Sequence, residues 1–162
     1  MGRRILIALL AAACLLAGCG NDPLYPEGMN IACKDLALTI PGDFSDLSGE
    51  DFAKEADFMF GRKTLVFEGL SQAKDDLQGL TLAQYTDRVI SENKLSCSAA
   101  PTGDGYLFTY EKLREGTNYT YTVATYETDS CFWILQFYGP TAEKQENQPE
   151  IDIILESIRK NP

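Results

Sequence analysis

The chain has 162 residues, contains no histidine and carries a formal net charge of −10 at pH 7. An acidic surface repels phosphate groups, so nucleic-acid binding is not expected. Without histidine the chain lacks His-based catalytic triads, the usual acid–base group at neutral pH and the commonest metal ligand. We therefore predict a protein that is not an enzyme, with no catalytic residue, no metal site and no cofactor.

The N-terminal segment has the composition of an export signal. Arg3 and Arg4 precede an apolar run over residues 5–16, which is shorter than the roughly 20 residues that span a bilayer. The sequence Leu16-Ala17-Gly18-Cys19 that follows resembles the bacterial lipobox. The resemblance implies cleavage before Cys19 and a diacylglyceryl group on its thiol. The alternative is an ordinary signal peptide that leaves Cys19 as a free thiol.

These features predict the domain organisation and the location. Residues 1–18 are a lipoprotein signal peptide, residues 19–28 are the lipidated cysteine and a Gly/Pro-rich tether, and residues 29–162 are one globular domain. Loss of residues 1–18 lowers the formal charge from −10 to −12, so membrane attachment depends on the lipid. Two acyl chains hold a protein stably on a bilayer. We expect the domain on the extracytoplasmic face of a cell membrane.

The early part of the domain predicts two hairpins. Residues 36–44 alternate apolar and polar side chains up to Pro41-Gly42, and residues 29–33 can pair with them. A second hairpin is predicted from residues 55–60 and 64–70, with its turn at 61–63 and with Ala56 on the same face as the phenylalanines that follow.

Two amphipathic helices are predicted. Thr81 is a natural N-cap with Gln84 three residues on, which forms a capping box for a helix up to about residue 94. Pro149 lies near the predicted start of a second helix. Its apolar face is formed by Ile151, Ile154, Leu155 and Ile158.

Between the helices the chain predicts a four-strand meander. Its segments are joined by three turn-like sequences, TGDG, REGT and ETDS. The predicted strands are 94–100, 106–112, 118–126 and 131–138. The fold class is therefore α+β, with a mainly antiparallel sheet that carries helices on its faces.

The meander limits the disulfides. Cys33, Cys97 and Cys131 remain in the exported domain, and three cysteines cannot all pair. Pairing each strand with the next puts Cys97 near Tyr110 of the second strand. Cys131 then lies roughly 20 Å from Cys97 along the strand direction and three strands away from it across the sheet. A bond between Cys97 and Cys131 is therefore excluded. Any internal disulfide uses Cys33, with either partner, or none forms.

The order of elements resembles that of the PsbP-like family, most of all its small lipoprotein members in Gram-positive bacteria. The resemblance rests on LALTIPGDF, LTLAQYTDRVI, the long aromatic stretch from YLFTYEKL to ILQFYG, and the closing ILESI. It implies an antiparallel sheet packed by helices, and members that bind or escort other proteins and seldom catalyse. It carries no functional residues over to this chain.

Aromatic residues in the last two strands are the candidate binding residues. Tyr and Trp combine apolar area with a polar tip, which suits binding surfaces. We predict a ligand groove that includes Tyr126, Tyr138 and Trp133, the two tyrosines because they end strands. The predicted function is a lipid-anchored binding or adaptor module for an envelope protein or ligand. A structural, assembly-supporting lipoprotein and a hydrolase that uses carboxylates such as Asp75 and Asp76 are the alternatives.

Replacing Cys19 by alanine tests the predicted anchor. The Cys19→Ala protein should leave the membrane fraction and keep the circular dichroism spectrum of the wild type, because the lipid holds the domain but does not fold it. Equal partitioning of the two proteins between membrane and soluble fractions would contradict lipid attachment.

Overall fold

A computed structural model describes residues 28–77 and 79–160. The predicted signal peptide, Cys19 and the tether up to residue 27 lie outside these residues. The described chain contains two α-helices, α1 (Leu82–Glu92) and α2 (Lys144–Ser157), and ten strands. The strands are β1 (Met29–Cys33), β2 (Leu36–Ile40), β3 (Ser45–Asp46), β4 (Phe58–Arg62), β5 (Leu65–Ala73), β6 (Ala100–Thr102), β7 (Gly105–Arg114), β8 (Thr117–Glu127), β9 (Cys131–Pro140) and β10 (Arg159–Lys160).

Over the described ranges the strands form two sheets. The larger has seven strands in the order β3-β4-β5-β9-β8-β7-β6, and the smaller has three in the order β1-β2-β10. Every strand pair is antiparallel. The predicted α+β class with an antiparallel sheet is confirmed.

Strand β9 lies at the centre of the large sheet, between β5 and β8, and residues 131–139 are all buried. Its side chains alternate between two separate apolar clusters. The α1-face cluster contains Phe132, Ile134 and Tyr138 with Tyr85 and Val89 of α1. The α2-face cluster contains its other apolar side chains, those of β2 and two isoleucines of α2: Cys131, Trp133, Leu135, Phe137, Leu36, Leu38, Ile40, Ile151 and Ile154.

Helix α1 begins as the sequence predicts. The Thr81 hydroxyl accepts a hydrogen bond from the backbone N–H of Gln84 (3.3 Å), and the Gln84 side-chain oxygen accepts one from the Thr81 N–H (2.9 Å). The buried Thr86 and Thr125 hydroxyls share a hydrogen bond of 2.7 Å, which joins α1 to β8. The capping box is confirmed, and α1 is fixed to the sheet by a polar contact as well as by packing.

Helix α2 begins earlier than predicted and ends earlier too. It starts at Lys144, so Pro149 lies inside the helix and not near its start. Proline has no N–H, so the carbonyl four residues earlier loses its helical hydrogen bond. Pro149 is exposed, so water can bind that carbonyl instead. Ile158 is the C-cap in extended conformation, and the next two residues form β10 against β2.

The prediction of the first meander strand, residues 94–100, is mostly wrong. Only Ala100–Thr102 forms a strand, although residues 94–99 keep the alternating burial that predicted one. Leu95, Cys97 and Ala99 pack against the α1-face cluster. Alternating burial therefore does not by itself make a strand, which also requires hydrogen bonds to a neighbour. The other three meander strands are confirmed, each slightly longer than predicted.

The turn of the second hairpin lies later than predicted. Arg62 pairs with Leu65, so the turn is at Lys63 and Thr64, and Lys63 adopts a φ of 51°. Ala56 precedes β4 and packs with the α1-face cluster, whereas Phe58 packs on the opposite face. The predicted common face for these two residues is wrong.

Gly69 provides a test of the packing of the large sheet. A Cβ atom at Gly69 would lie 2.2 Å from Cζ of its cross-strand partner Phe58, whose ring is held between Phe67 and Trp133. We expect Gly69→Ala to lower the free energy of unfolding by about 3 kcal/mol, as overpacked cores do. Urea unfolding measures this. Gly49→Ala is the control, because nothing lies within 4 Å of its Cβ; equal stability of both variants would contradict the packing.

Candidate ligand cleft

A cleft of about 300 Å³ opens where the end of α2 and the start of β2 meet the turn between β6 and β7. This volume is at the lower limit of small-ligand sites. Its floor is apolar and consists of side chains from β2, β7, β8 and the end of α2: Leu36, Leu107, Tyr126, Leu155 and Ile158. The cleft can therefore bury the apolar part of a small group.

Tyr126 reaches the cleft because its cross-strand partner is Gly105. A Cβ atom at Gly105 would lie 3.1 Å from the Tyr126 ring and 2.4 Å from the Thr125 carbonyl oxygen. Any larger residue at 105 would displace the ring. Burial raises the pKa of the Tyr126 hydroxyl, and the carboxylate of Asp104 raises it further, so Tyr126 stays a neutral hydrogen-bonding group at pH 7.

The rim of the cleft is acidic. Asp104, Glu127 and Glu156 line it together with Arg159. Glu127 forms an ion pair with Lys74 (2.8 Å), and Arg159 donates to the backbone carbonyls of Glu156 (2.8 Å) and Ile158 (2.7 Å) at the end of α2. Within the described residues Asp104 and Glu156 form no ion pair. The cleft thus offers a cation two carboxylates.

The three aromatic residues predicted for a groove do not lie together. Tyr126 is half-buried in the cleft, whereas Trp133 and Tyr138 are in the core, with exposed fractions of 0% and 4%. Trp133 is the cross-strand partner of Tyr126, but Phe58 stacks on its indole and its N–H donates to Asp35 (3.3 Å). Tyr138 faces the other side of the sheet, where it stacks on Tyr121 (5.3 Å between ring centroids). A groove with all three residues is therefore not formed.

Three residues that were not predicted as site residues line the cleft with Tyr126: Leu107, Leu155 and Asp104. Leu107 pairs with Ala124, two residues before Tyr126, so the meander register alone brings it near. The turn sequence TGDG also places Asp104 close to Tyr126. No local signal brings Leu155 there, because α2 reaches the cleft only through its packing on β2 and β9.

A second candidate is the buried carboxyl group of Glu68. Its Oε1 accepts a hydrogen bond from Gln136 Nε2 (2.6 Å), and Gln136 Oε1 accepts one from the Tyr110 hydroxyl (3.3 Å). Burial raises the pKa of Glu68 to about 7, against the smaller opposing effects of Gln136 and Arg114. Such a pKa suits a general acid or base. However, Glu68 is 4% exposed in the core, and a substrate has no access to it.

Asp75 and Asp76, the carboxylates named for the alternative hydrolase, are exposed and do not line the cleft. Other acidic side chains form ion pairs at the surface. Asp43 pairs with Arg62, and Asp51 pairs with Lys54 (2.7 Å). Across residues 28–77 and 79–160, no three Cys, Asp or Glu side chains are grouped so that they could hold a metal ion. The cleft is therefore the best candidate site in this part of the chain.

The comparisons with known proteins identify a fold and no family. No protein-family model matches the chain, and no curated protein matches it. A crystal structure from Bacteroides thetaiotaomicron VPI-5482 is similar with a TM-score of 0.55 at 15% identity, covering 79% of this chain and 46% of that one. The crystal structure of LpqN, involved in cell envelope biogenesis of Mycobacterium tuberculosis, is similar with a TM-score of 0.54 at 13% identity, covering 84% and 86%.

The solution structure of cyanobacterial PsbP (CyanoP) from Synechocystis sp. PCC 6803 covers 90% of this chain and 98% of its own, with a TM-score of 0.47 at 9% identity. This score is too low to carry an inference, so the PsbP-like assignment stays a prediction. The chain spans less than half of the Bacteroides structure and most of LpqN. Neither α-helix of the described chain is both long and apolar enough to cross a bilayer.

Glu68 predicts an unusual dependence of stability on pH. Its pKa is 4.5 ordinarily and about 7 in the folded protein, so the folded state binds this proton more tightly than the unfolded state. The contribution of this proton to the free energy of unfolding is therefore fully present below pH 4.5 and is lost as the pH rises to about 7. It amounts to at most about 3 kcal/mol. Glu68→Gln should remove this decrease. Urea unfolding of both proteins from pH 4.5 to pH 8 measures it, and parallel curves would contradict the raised pKa.

Proposed function

We propose that the protein is an exported, lipid-anchored, non-catalytic binding module whose cleft accepts a basic and partly apolar segment of an envelope protein. The cleft supports this proposal because it combines an apolar floor with an acidic rim. A lysine or arginine side chain has the matching chemistry, since its hydrocarbon stem covers apolar surface while its charged end stays at the rim. Its volume suits one such side chain and not a large ligand.

The charges at the cleft support a cationic occupant. Asp104 and Glu156 come from two different elements of the lining, one from the β6–β7 turn and one from the end of α2. The carboxyl end of a helix carries a partial negative charge, which also favours cations. Arg159 already occupies the last carbonyls of α2, so the remaining attraction comes mainly from the two carboxylates.

The position of the cleft relative to the tether fits an anchored adaptor. The described chain begins at Gly28, and Met29 pairs with Ile40 at one end of the first hairpin. Leu36, at the other end of β2, lines the cleft. The two ends of this strand are roughly 14 Å apart at 3.4 Å per residue. A domain held at residue 28 would therefore keep its cleft away from the attachment point.

Envelope location is the other part of the proposal. It is supported by the lipobox-like sequence at Cys19 and by the fold shared with LpqN, a protein involved in cell envelope biogenesis. Fold alone does not carry a function over. The assignment therefore depends on the lipid and on the cleft, which are tested separately.

Binding of two short labelled peptides tests the cleft. One alternates leucine with lysine and the other leucine with glutamate, and the protein is the lipidated full chain in nanodiscs of zwitterionic lipid. We expect the lysine peptide to bind, more weakly as the salt concentration rises, and the glutamate peptide not to bind. Asp104→Asn and Glu156→Gln should each raise the Kd about threefold, because each removes one exposed charge.

Asp75→Asn is the matched control, because Asp75 is an exposed carboxylate that does not line the cleft. Its Kd for the lysine peptide should equal that of the wild type. Equal affinity for both peptides, or the same loss in the control as in the two cleft variants, would contradict the proposed site.

A further inference from the structure

Two of the three cysteines of the domain face the same apolar cluster. Cys131 begins β9 and belongs to the α2-face cluster, and the half-buried Cys33 ends β1 and packs against it. Cys97 packs against the α1-face cluster, on the other side of the large sheet. The sheet therefore separates Cys97 from the other two cysteines.

Hydrogen bonds hold the backbone next to Cys33 against the backbone next to Cys131. Asp35, two residues after Cys33, accepts bonds from the N–H (2.8 Å) and the hydroxyl (2.6 Å) of Ser130, the residue before Cys131. Desolvation alone would raise the pKa of Asp35, but the hydrogen bonds from Ser130, Thr128 and Trp133 hold it well below its usual range. Asp35 is therefore ionised, and it fixes the β1–β2 turn at the start of β9 at neutral pH.

Lys34, the residue after Cys33, reaches Trp133, two residues after Cys131. Its ammonium donates to Asp57 (2.6 Å) and to the Ser71 hydroxyl, and lies 5.8 Å from the centroid of the Trp133 ring. The residues that flank Cys33 and Cys131 are therefore joined by two contacts, one from Lys34 to the Trp133 ring and one from Asp35 to Ser130.

We propose that Cys33 and Cys131 form a disulfide that joins the small sheet to the central strand of the large one. Both thiols are free in the structure. The bond requires a compartment that oxidises thiols, so its formation in the cell rests on the export included in the proposed function. Since β1 is an edge strand of the small sheet and has a strand neighbour on one side only, it can adjust to the Cα separation of under about 7 Å that a disulfide requires.

The chemistry is a thiol–disulfide exchange with an external disulfide as oxidant. The thiolate of Cys33, the more exposed of the two, attacks one sulfur of the oxidant, which forms a mixed disulfide and releases one thiolate. The thiolate of Cys131 then attacks the Cys33 sulfur and releases the second. Two electrons pass from the protein to the oxidant, and the two thiol protons go to the released thiolates. Burial and the Asp57 charge raise the pKa of Cys33, so the reaction accelerates as the pH rises.

Peptide mapping without reduction tests the pairing. One sample is the lipidated full chain from the envelope fraction with its thiols alkylated at lysis, and the other is the purified full chain incubated with oxidised glutathione. We expect a peptide that links Cys33 to Cys131 and an alkylated Cys97 in both. Free Cys33 and Cys131 in both samples, or any link that includes Cys97, would overturn the proposal. The link in the purified chain alone would support the pairing and contradict the proposed export.

Thermal unfolding with and without reductant provides a second measurement. A disulfide that closes a loop of about 100 residues should raise the Tm by roughly 10 °C. Reductant should therefore lower the Tm of the oxidised wild type and of Cys97→Ser equally, and should leave Cys33→Ser unchanged. Cys33 is half-buried, so this serine variant keeps its fold more easily than one at Cys131. A shift in Cys33→Ser equal to that of the wild type would contradict the bond.

Discussion

Burial of β9 on both faces is the constraint on which the rest of the structure depends. Residues 131–139 are shielded from water because α1 covers one face of the large sheet, while α2 and the small sheet cover the other. Each fully buried large apolar side chain of this strand contributes about 1.5–3 kcal/mol. Both layers are required, because loss of α1 on one face, or of α2 and the small sheet on the other, would expose every second side chain of β9 to water.

Several features of the fold could be predicted because they are set by neighbours in sequence. A turn sequence fixes where a hairpin folds back, and the predicted turn REGT does join β7 to β8, with Arg114 paired to Thr117. The capping box at Thr81 depends on two residues three positions apart. The pairing of β5 with β9 could not be predicted, because nothing in either strand specifies a partner 58 to 72 residues away. The start of α2 was missed because Pro149 is tolerated inside an exposed helix surface.

The candidate site was also only partly predictable from the sequence. Tyr126 could be identified as an aromatic residue at a strand end, and it does line the cleft. Trp133 is also an aromatic residue of the last two strands and is the cross-strand partner of Tyr126, but it is buried. Phe58 stacks on its indole, and Phe58 belongs to β4, a strand outside the meander. The proposed disulfide was equally open at the level of sequence, which allowed Cys33 to pair with Cys97, with Cys131 or with neither. The structure separates the two partners, because Cys33 and Cys131 pack on one face of the large sheet and Cys97 on the other.

Photo-cross-linking in living cells tests whether the cleft holds a basic segment of an envelope protein. A photoreactive amino acid replaces Leu107 in the cleft or, as the control, Leu113, which points to the same side of β7 but is 65% exposed and distant from the cleft. We predict an adduct from position 107 alone, mapped by mass spectrometry to a lysine- or arginine-containing segment of an envelope protein. Identical adducts from both positions, or none from 107, would contradict the account.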